Sequence, residues 1–290
     1  ANMIIEKIDR ILNDNIFEGI NIHYFGGEPL LNIPVLIYLD ENIKKITDKI
    51  GIVYKAFLTT NGSMLSKELL QKVKFSSIQL TFDGLEKTHD RLRVSDHFHF
   101  KEEIELIENI MNFSQAKVLL RTNICKENKD EIIALHKYIF EKFGNERIEI
   151  NPNRTIKYHQ DDSFEMLSVQ EYAEVAYQIK LLWSEQKGKF ELPVPRSTPC
   201  KFPYGNAYAI SPEGYCTFCS GSMDQEKKYF FDVDIENKKM FSVRKECKKC
   251  NILPLCLGGC IIQYNLRAGA CTYEKYELKN ILISYIKHIS

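Results

Sequence analysis

From Asn21 to about Ile156 the apolar positions follow two alternating patterns. Short runs rich in β-branched and aromatic residues read as strands: "INIHYFGG", "VYKAFLTTNG", "SSIQLTFDG", "AKVLLRTN" and "RIEINPNR". Between them, stretches near 33–48, 66–74, 99–112 and 128–142 carry apolar residues at helical spacing. Alternation of this kind predicts right-handed crossovers and a parallel sheet, an α/β fold. Each strand runs directly into polar or glycine residues: Gly26-Gly27-Glu28, Thr60-Asn61-Gly62, Asp83-Gly84, Arg121-Thr122-Asn123 and Asn151-Pro152-Asn153. Parallel α/β folds place their ligand sites at the carboxyl ends of the strands. Five polar ends in series therefore predict one shared site.

The flanks differ from this body. Ile4, Ile5, Ile8, Ile11 and Leu12 fall at helical spacing from the outset with no leading strand, so the sequence reads as beginning inside an element. After the strands comes a helical pattern from Val169 to Glu185, then a linker, "GKFELPVPRSTPC", with three prolines and no periodicity. "AYAISPEGYCTFCS" has the shape of a small hairpin around Pro212-Glu213-Gly214, and Tyr273 to Ile289 again shows helical spacing. There is no internal repeat.

Composition narrows the class of function. Of 290 residues, 44% are hydrophobic and 27% charged, ordinary values for a globular protein. Lys plus Arg and Asp plus Glu both number 39, so no global field favours nucleic acid or an anionic membrane. No apolar run approaches a bilayer span and none resembles a cleavable signal, which together predict a cytoplasmic protein.

Cysteine usage is the unusual feature. Eight of the nine cysteines lie between Cys200 and Cys271, and only Cys125 stands apart. Without a secretory signal, such clustering points to metal rather than disulfides. "CKKCNILPLCLGGC" reads C-x2-C-x5-C-x3-C. Zinc ribbons pair two C-x2-C knuckles, and only Cys247-Cys250 and Cys216-Cys219 have that spacing, so zinc stays as one alternative. Iron–sulfur cubanes take thiolates arriving from several directions. On that basis Cys247, Cys250 and Cys256 wrap one cluster, while Cys260, beyond Gly258-Gly259, turns away to a second.

At this point the sequence resembles a known family. The segment from Cys200 to Cys271 is similar to a SPASM domain, the twin auxiliary-cluster module of radical S-adenosylmethionine (SAM) enzymes. The family pattern, a cysteine, G-x4-C, C-x2-C-x5-C-x3-C and a last cysteine, is met by Cys200, Gly214 with Cys219, Cys247, Cys250, Cys256, Cys260 and Cys271. The resemblance implies that Cys200, Cys219 and Cys260 hold a first auxiliary [4Fe–4S] cluster, with an open iron or Cys216 as a fourth ligand. It implies that Cys247, Cys250, Cys256 and Cys271 hold a second. "YFGGEPLL" resembles the glycine-rich strand end that meets the SAM amino group through Gly26, Gly27 and Glu28. "LTTNG", "LTFDG" with "HDRLR", and "LRTN" also resemble family stretches, which places Thr60, Asn61, Thr81, Asp83, Arg93, Arg121 and Asn123 at the cofactor. Thr81 and Arg93 match positions that meet the SAM carboxylate and ribose.

The implied fold is a partial (β/α)6 radical SAM barrel lacking its first strand over residues 1–165. A helix and linker (166–198), a SPASM domain (199–272) and a C-terminal helix (273–290) complete it. The family's catalytic [4Fe–4S] cluster sits on a C-x3-C-x2-C loop that this sequence does not contain; its place falls upstream of Ala1, and the polypeptide as written is expected not to cleave SAM. The implied activity is modification of a ribosomally made precursor peptide by hydrogen abstraction, with thioether cross-linking favoured and a flavodoxin- or ferredoxin-like protein as electron donor. Oxidation of a cysteine or serine to formylglycine, as in anaerobic sulfatase maturases, is the alternative within the family, although Asp224 and Glu226 are loosely placed for its base. A non-catalytic metal-bearing module that binds a peptide is the alternative outside it. His23, His89 and Cys125 read as structural residues.

Overall fold

The computed structural model describes residues 1–14, 17–144, 146–157, 164–197, 207–211, 216–217, 245–259 and 271–289. The chain divides into two compact units, Ala1–Thr155 and Ile156–Ser290. Among the described residues, no helix is long and apolar enough to cross a membrane.

The first unit is the expected parallel α/β body. Five strands, β1 (Gly19–Tyr24), β2 (Val53–Thr59), β3 (Phe75–Thr81), β4 (Lys117–Ile124) and β5 (Ile148–Arg154), pair in the order β1-β2-β3-β4-β5, every neighbour parallel. Sequential parallel neighbours joined by right-handed crossovers carry their helices on one face of the sheet. That face is built by alternation along the strands: Ile78, Leu80 and Phe82, and Val118, Leu120 and Ile124, are fully buried. Each such side chain contributes about 1.5–3 kcal/mol relative to exposure. The alternate positions, Gln79 and Thr81 on β3 and Arg121 and Asn123 on β4, form a polar opposite face.

Six α-helices and a 3-10 turn lie among the described residues of this unit. Helix α1 (Asn2–Asp14) lays Ile8 and Leu12 against Ile43 of α2 (Ile33–Ile50), with Ile4, Ile20, Ile22 and Leu39 packed around them. A 3-10 turn (Pro29–Asn32) precedes α2, and α3 (Lys67–Lys72) joins β2 to β3. Between β3 and β4 lie α4 (Glu86–Leu92) and α5 (Phe100–Phe113), and α6 (Ile132–Phe143) leads to β5. The carbonyls at the end of α5 are taken up by Arg147, whose guanidinium donates to Ile110, Met111, Ser114 and Ala116, the expected role for a cation at a helix C-terminus.

Two local details depart from the sequence expectation. Helix α4 is too short and too polar to show an apolar stripe, so the sequence pattern does not predict it. Helix α6 starts four residues later than 128, because the Asn128 side chain accepts from the Cys125 N–H at 2.9 Å and holds that segment in turns.

In the second unit α7 (Val169–Lys187) starts with a capping box, Ser168 with Glu171, and ends at Gly188 in the left-handed region. A two-strand antiparallel hairpin follows, β6 (Ala209–Ile210) with β7 (Cys216–Thr217). A 3-10 turn (Lys245–Lys249), the short α8 (Leu253–Cys256) and α9 (Glu274–Ile289) complete the described part. Helix α9 is held to α7 by Lys180–Glu277 (2.6 Å), by the Tyr177 and Ser284 hydroxyls (2.6 Å) and by edge-to-face contact of Tyr172 with Tyr273. Arg196 ties the linker down: its N–H donates to the Pro254 carbonyl and its guanidinium to Glu274.

Candidate functional site

At the tip of β1 the chain runs through Phe25-Gly26-Gly27-Glu28. Gly26 has φ of +146°, and a Cβ at either glycine would meet nothing within 4 Å, so this stretch of backbone faces open space. Glu28 turns back toward the protein. Its Oε1 accepts from the Leu30 N–H (3.0 Å) and the Thr60 hydroxyl (2.7 Å), and its Oε2 accepts from the Asn61 N–H (2.7 Å). Glu28, Thr60 and Asn61 are thus one hydrogen-bonded group that straps the tip of β1 to the tip of β2. His23 lies on the polar face with Nε2 at 2.8 Å from the Thr59 hydroxyl, and partial burial lowers its pKa.

The tips of β3 and β4 form a second group. Thr81 and Arg121 are directly paired in register. Asp83 Oδ1 accepts from the Asn123 N–H at 3.2 Å, and Asp83 Oδ2 stands 3.4 Å from Arg93 Nη1. Arg121 donates to Asn123 Oδ1 at 2.9 Å. The Arg93 side chain remains 31% exposed, so its guanidinium can still meet an anion from solvent. Asn128 donates to the carbonyls of both Asp83 (2.9 Å) and Asn123 (2.8 Å), locking the two tips together. Nine of the ten residues expected at the cofactor therefore fall at or just past the tips of β1 to β4, and the tenth, Arg93, closes α4 and reaches the β3 tip through Asp83. A cavity lined by Leu70, Lys74, Phe75 and Phe113 opens at the opposite, amino end of β3, away from the end where this architecture binds ligands.

The second unit carries the thiols. Cys247, Cys250, Cys256 and Cys271 are all unpaired, and all four line one small cavity with Ile252, Leu253, Thr272 and Lys275. The backbone explains the convergence. Cys250 N–H donates to the Cys247 carbonyl, closing a knuckle, and one turn of α8 brings Cys256 back over it. Leu257, Gly258 and Gly259 then take three consecutive left-handed conformations, reversing the chain at once. A Cβ at Gly259 would lie 2.4 Å from Thr272 Cγ2, so glycine is what admits the Cys271 segment. Two donors address the sulfurs: the Gly258 N–H reaches Cys256 Sγ at 3.4 Å and Lys275 Nζ stands 3.8 Å from Cys271 Sγ. Among the described residues no three His, Cys, Asp or Glu side chains are gathered closely enough to share one metal ion. Around a single zinc, Zn–S bonds of about 2.3 Å would bring the sulfurs to about 3.8 Å from one another. Four thiols lining one cavity form an all-thiolate donor set of the kind that holds zinc or an iron–sulfur cluster.

Cys200, Cys219 and Cys260, together with Asp224 and Glu226, lie outside the described residues. Cys216 is paired opposite Ile210 in the hairpin. Cys125 is buried, and burial raises its thiol pKa. Asn128, Glu103 and Lys275 were not singled out from the sequence. For Glu103 a signal exists, since Phe100, Glu103, Ile107 and Ile110 share the apolar stripe of α5, an uncommon place for a carboxylate.

No protein-family model and no curated protein matches the chain. Solved structures do. The radical SAM enzyme anSMEcpe, of the anaerobic sulfatase-maturating kind, with bound AdoMet and a Kp18Cys peptide, aligns with a TM-score of 0.74 at 18% identity, covering 100% of this chain and 90% of that one. The same enzyme with a Cp18Cys peptide gives 0.72 at 16% identity, covering 100% and 92%. Streptococcus suis SuiB bound to S-adenosylmethionine gives 0.57 at 16% identity, covering 90% and 66%. The chain has the radical SAM fold.

Proposed function

We propose that this chain supplies the SAM-binding and auxiliary-cluster portions of a peptide-modifying radical SAM oxidoreductase. The observation that carries the proposal is the convergence of Cys247, Cys250, Cys256 and Cys271 on one cavity in a chain with this fold. An all-thiolate donor set selects zinc or iron–sulfur among the common protein metals, and the likeness of the whole chain to radical SAM structures favours a [4Fe–4S] cluster. Cys200, Cys219 and Cys260 would hold the other auxiliary cluster, with an open iron or Cys216 completing it.

When bound, the clusters and SAM supply one-electron and radical chemistry that side chains cannot. The chain's own residues bind and orient. Gly26 and Gly27 give backbone access, and the Glu28–Thr60–Asn61 group holds a fixed carboxylate beside them for an ammonium. Thr81 and Arg93 would meet the SAM carboxylate and ribose, and the hydrogen bonds among Asp83, Arg93, Arg121 and Asn123 would hold that edge in place. The Gly258 N–H and Lys275 ammonium tune the thiolate cage, since hydrogen bonds to sulfur and local charge set the potential of such sites. The partners proposed are a precursor peptide and a flavodoxin- or ferredoxin-like donor.

The test joins the chain to an upstream segment bearing a C-x3-C-x2-C loop, reduces the protein anaerobically with SAM, and presents a cysteine-containing precursor peptide. Thioether formation gives a product lighter by two hydrogens that retains its sulfur; an unmodified peptide rules it out. Formylglycine formation is the second reading, kept because the likeness to anSMEcpe, whose structures hold Cys peptides, extends over the whole chain. It gives a product in which the cysteine has lost its sulfur.

A further inference from the structure

Beneath the tips of β3 and β4, two titratable side chains are buried where no ligand reaches them. Glu103 of α5 is 1% exposed and His89 of α4 is 3% exposed, packed against the rings of Phe82 and Phe100. Their contact is Nε2 to Oε2 at 3.1 Å, and Glu103 Oε1 has no hydrogen-bond partner among the described residues. A carboxylate with one oxygen unsatisfied is a costly way to fill core volume that a leucine would fill freely.

The connections of His89 supply a reason. The Asp83 N–H donates to His89 Nδ1 at 3.3 Å, so that nitrogen is an acceptor and the ring proton sits on Nε2, facing Glu103. The backbone carbonyl of His89 accepts the Arg93 N–H at 2.8 Å. His89 thus holds the Asp83 main chain through its ring, while its carbonyl takes the last i→i+4 bond of α4, the helix that carries Arg93. Through Asp83 Oδ1 the same hold extends to the Asn123 N–H. Glu103 fixes the ring orientation and its tautomer, much as an outer carboxylate orients a metal-bound imidazole.

We propose that Glu103 and His89 are positioning residues for the SAM-binding groups of the β3 and β4 tips, with Glu103 orienting His89 and His89 setting the placement of Asp83 and Arg93. The proposal rests on the assignment of those tips to SAM made above. Three variants of the 290-residue chain test it: Glu103→Leu, Glu103→Gln and Arg93→Ala. SAM binding is measured by calorimetry, and amide exchange across residues 82–93 by mass spectrometry. Glu103→Leu is expected to speed exchange across that segment and weaken SAM at least ten-fold, approaching the loss in Arg93→Ala. Glu103→Gln keeps an acceptor for the ring proton and is expected to recover binding to within about three-fold. Glu103→Asp withdraws the acceptor by one methylene; it shifts both readouts in the same direction by less, and serves if Glu103→Leu does not fold.

Faster exchange with undiminished SAM affinity would overturn the proposal, leaving the pair purely structural. Failure of Glu103→Gln to recover either readout would also overturn it. If the unaltered chain binds no SAM, yet Glu103→Leu still loosens residues 82–93 and Glu103→Gln restores them, the assignment of the tips to SAM falls. The hold of His89 on the Asp83 main chain would then stand without that ligand.

Discussion

The two sites are held in place by different means. At the strand tips, Thr81, Asp83 and Asn123 are carried by strands whose other face buries Leu80, Phe82 and Leu120 completely, and hydrogen bonds through Glu28 and Asn128 tie the tips together. Around the thiols, Ile252 is the one buried hydrophobic side chain between residues 245 and 259. That segment is a 3-10 turn, a single turn of helix and a left-handed reversal. The first site is preorganised by a core that folds without its ligand. Among the described residues the second has little apolar burial of its own, and under the proposal made above the group bound by the four sulfurs would supply the missing constraint, because the free energy of metal binding would then be folding free energy.

The largest expected effect sharpens this contrast. Stripping iron from anaerobically loaded protein should remove nearly all amide-exchange protection across 245–259 and leave β3 and β4 protected, as read by exchange mass spectrometry. Equal loss in both places would show that the two sites share one support.

Next comes the converse. Leu120→Ala removes fully buried apolar volume, and should cost about 2–5 kcal/mol in denaturant unfolding of the first unit. It should leave the iron content of the thiol site unchanged.

A smaller effect depends on pH. His136 is fully buried, with Nε2 at 3.4 Å from the Thr122 hydroxyl, and burial pushes its pKa down to about 3 from 6.5. The unfolded chain therefore takes up this proton first. Stability is complete above pH 6.5 and is lost as pH falls toward 3, at up to about 1.4 kcal/mol per pH unit. His136→Leu should flatten that slope in acid titrations of the first unit, with no change in the thiol region.

The smallest expected effect belongs to the surface. Lys117 and Glu149 form an ion pair with both side chains half exposed, and Lys117→Ala should change stability by less than about 1 kcal/mol.

Much of this was legible in the residues. The five strands announced themselves because burial on the helix face requires apolar residues at every second position, and the polar residues that end each run marked the carboxyl tips. The cysteine spacings grouped Cys247, Cys250 and Cys256, and the family resemblance added Cys271; the four line one cavity, where a knuckle, one helical turn and a glycine reversal leave the chain little freedom. Helix α4 escaped notice because seven mostly polar residues carry no stripe. The role of Asn128 was hidden for another reason: it acts through tertiary partners, reaching back to Asp83 across 45 positions, whereas Glu103 was at least marked by its place in the apolar stripe of α5. A buried hydrogen bond of that kind depends on tertiary placement, which no local pattern encodes.

The central claim is that Cys247, Cys250, Cys256 and Cys271 encircle an iron–sulfur cluster. The direct measurement is anaerobic reconstitution of the chain and of a Cys200→Ala/Cys219→Ala/Cys260→Ala variant, followed by iron, zinc and acid-labile sulfide analysis. Two four-iron cubanes predict about eight irons with matching sulfide in the first, and about four of each retained in the variant. Zinc without sulfide in either protein, or loss of all iron from the variant, would contradict the account.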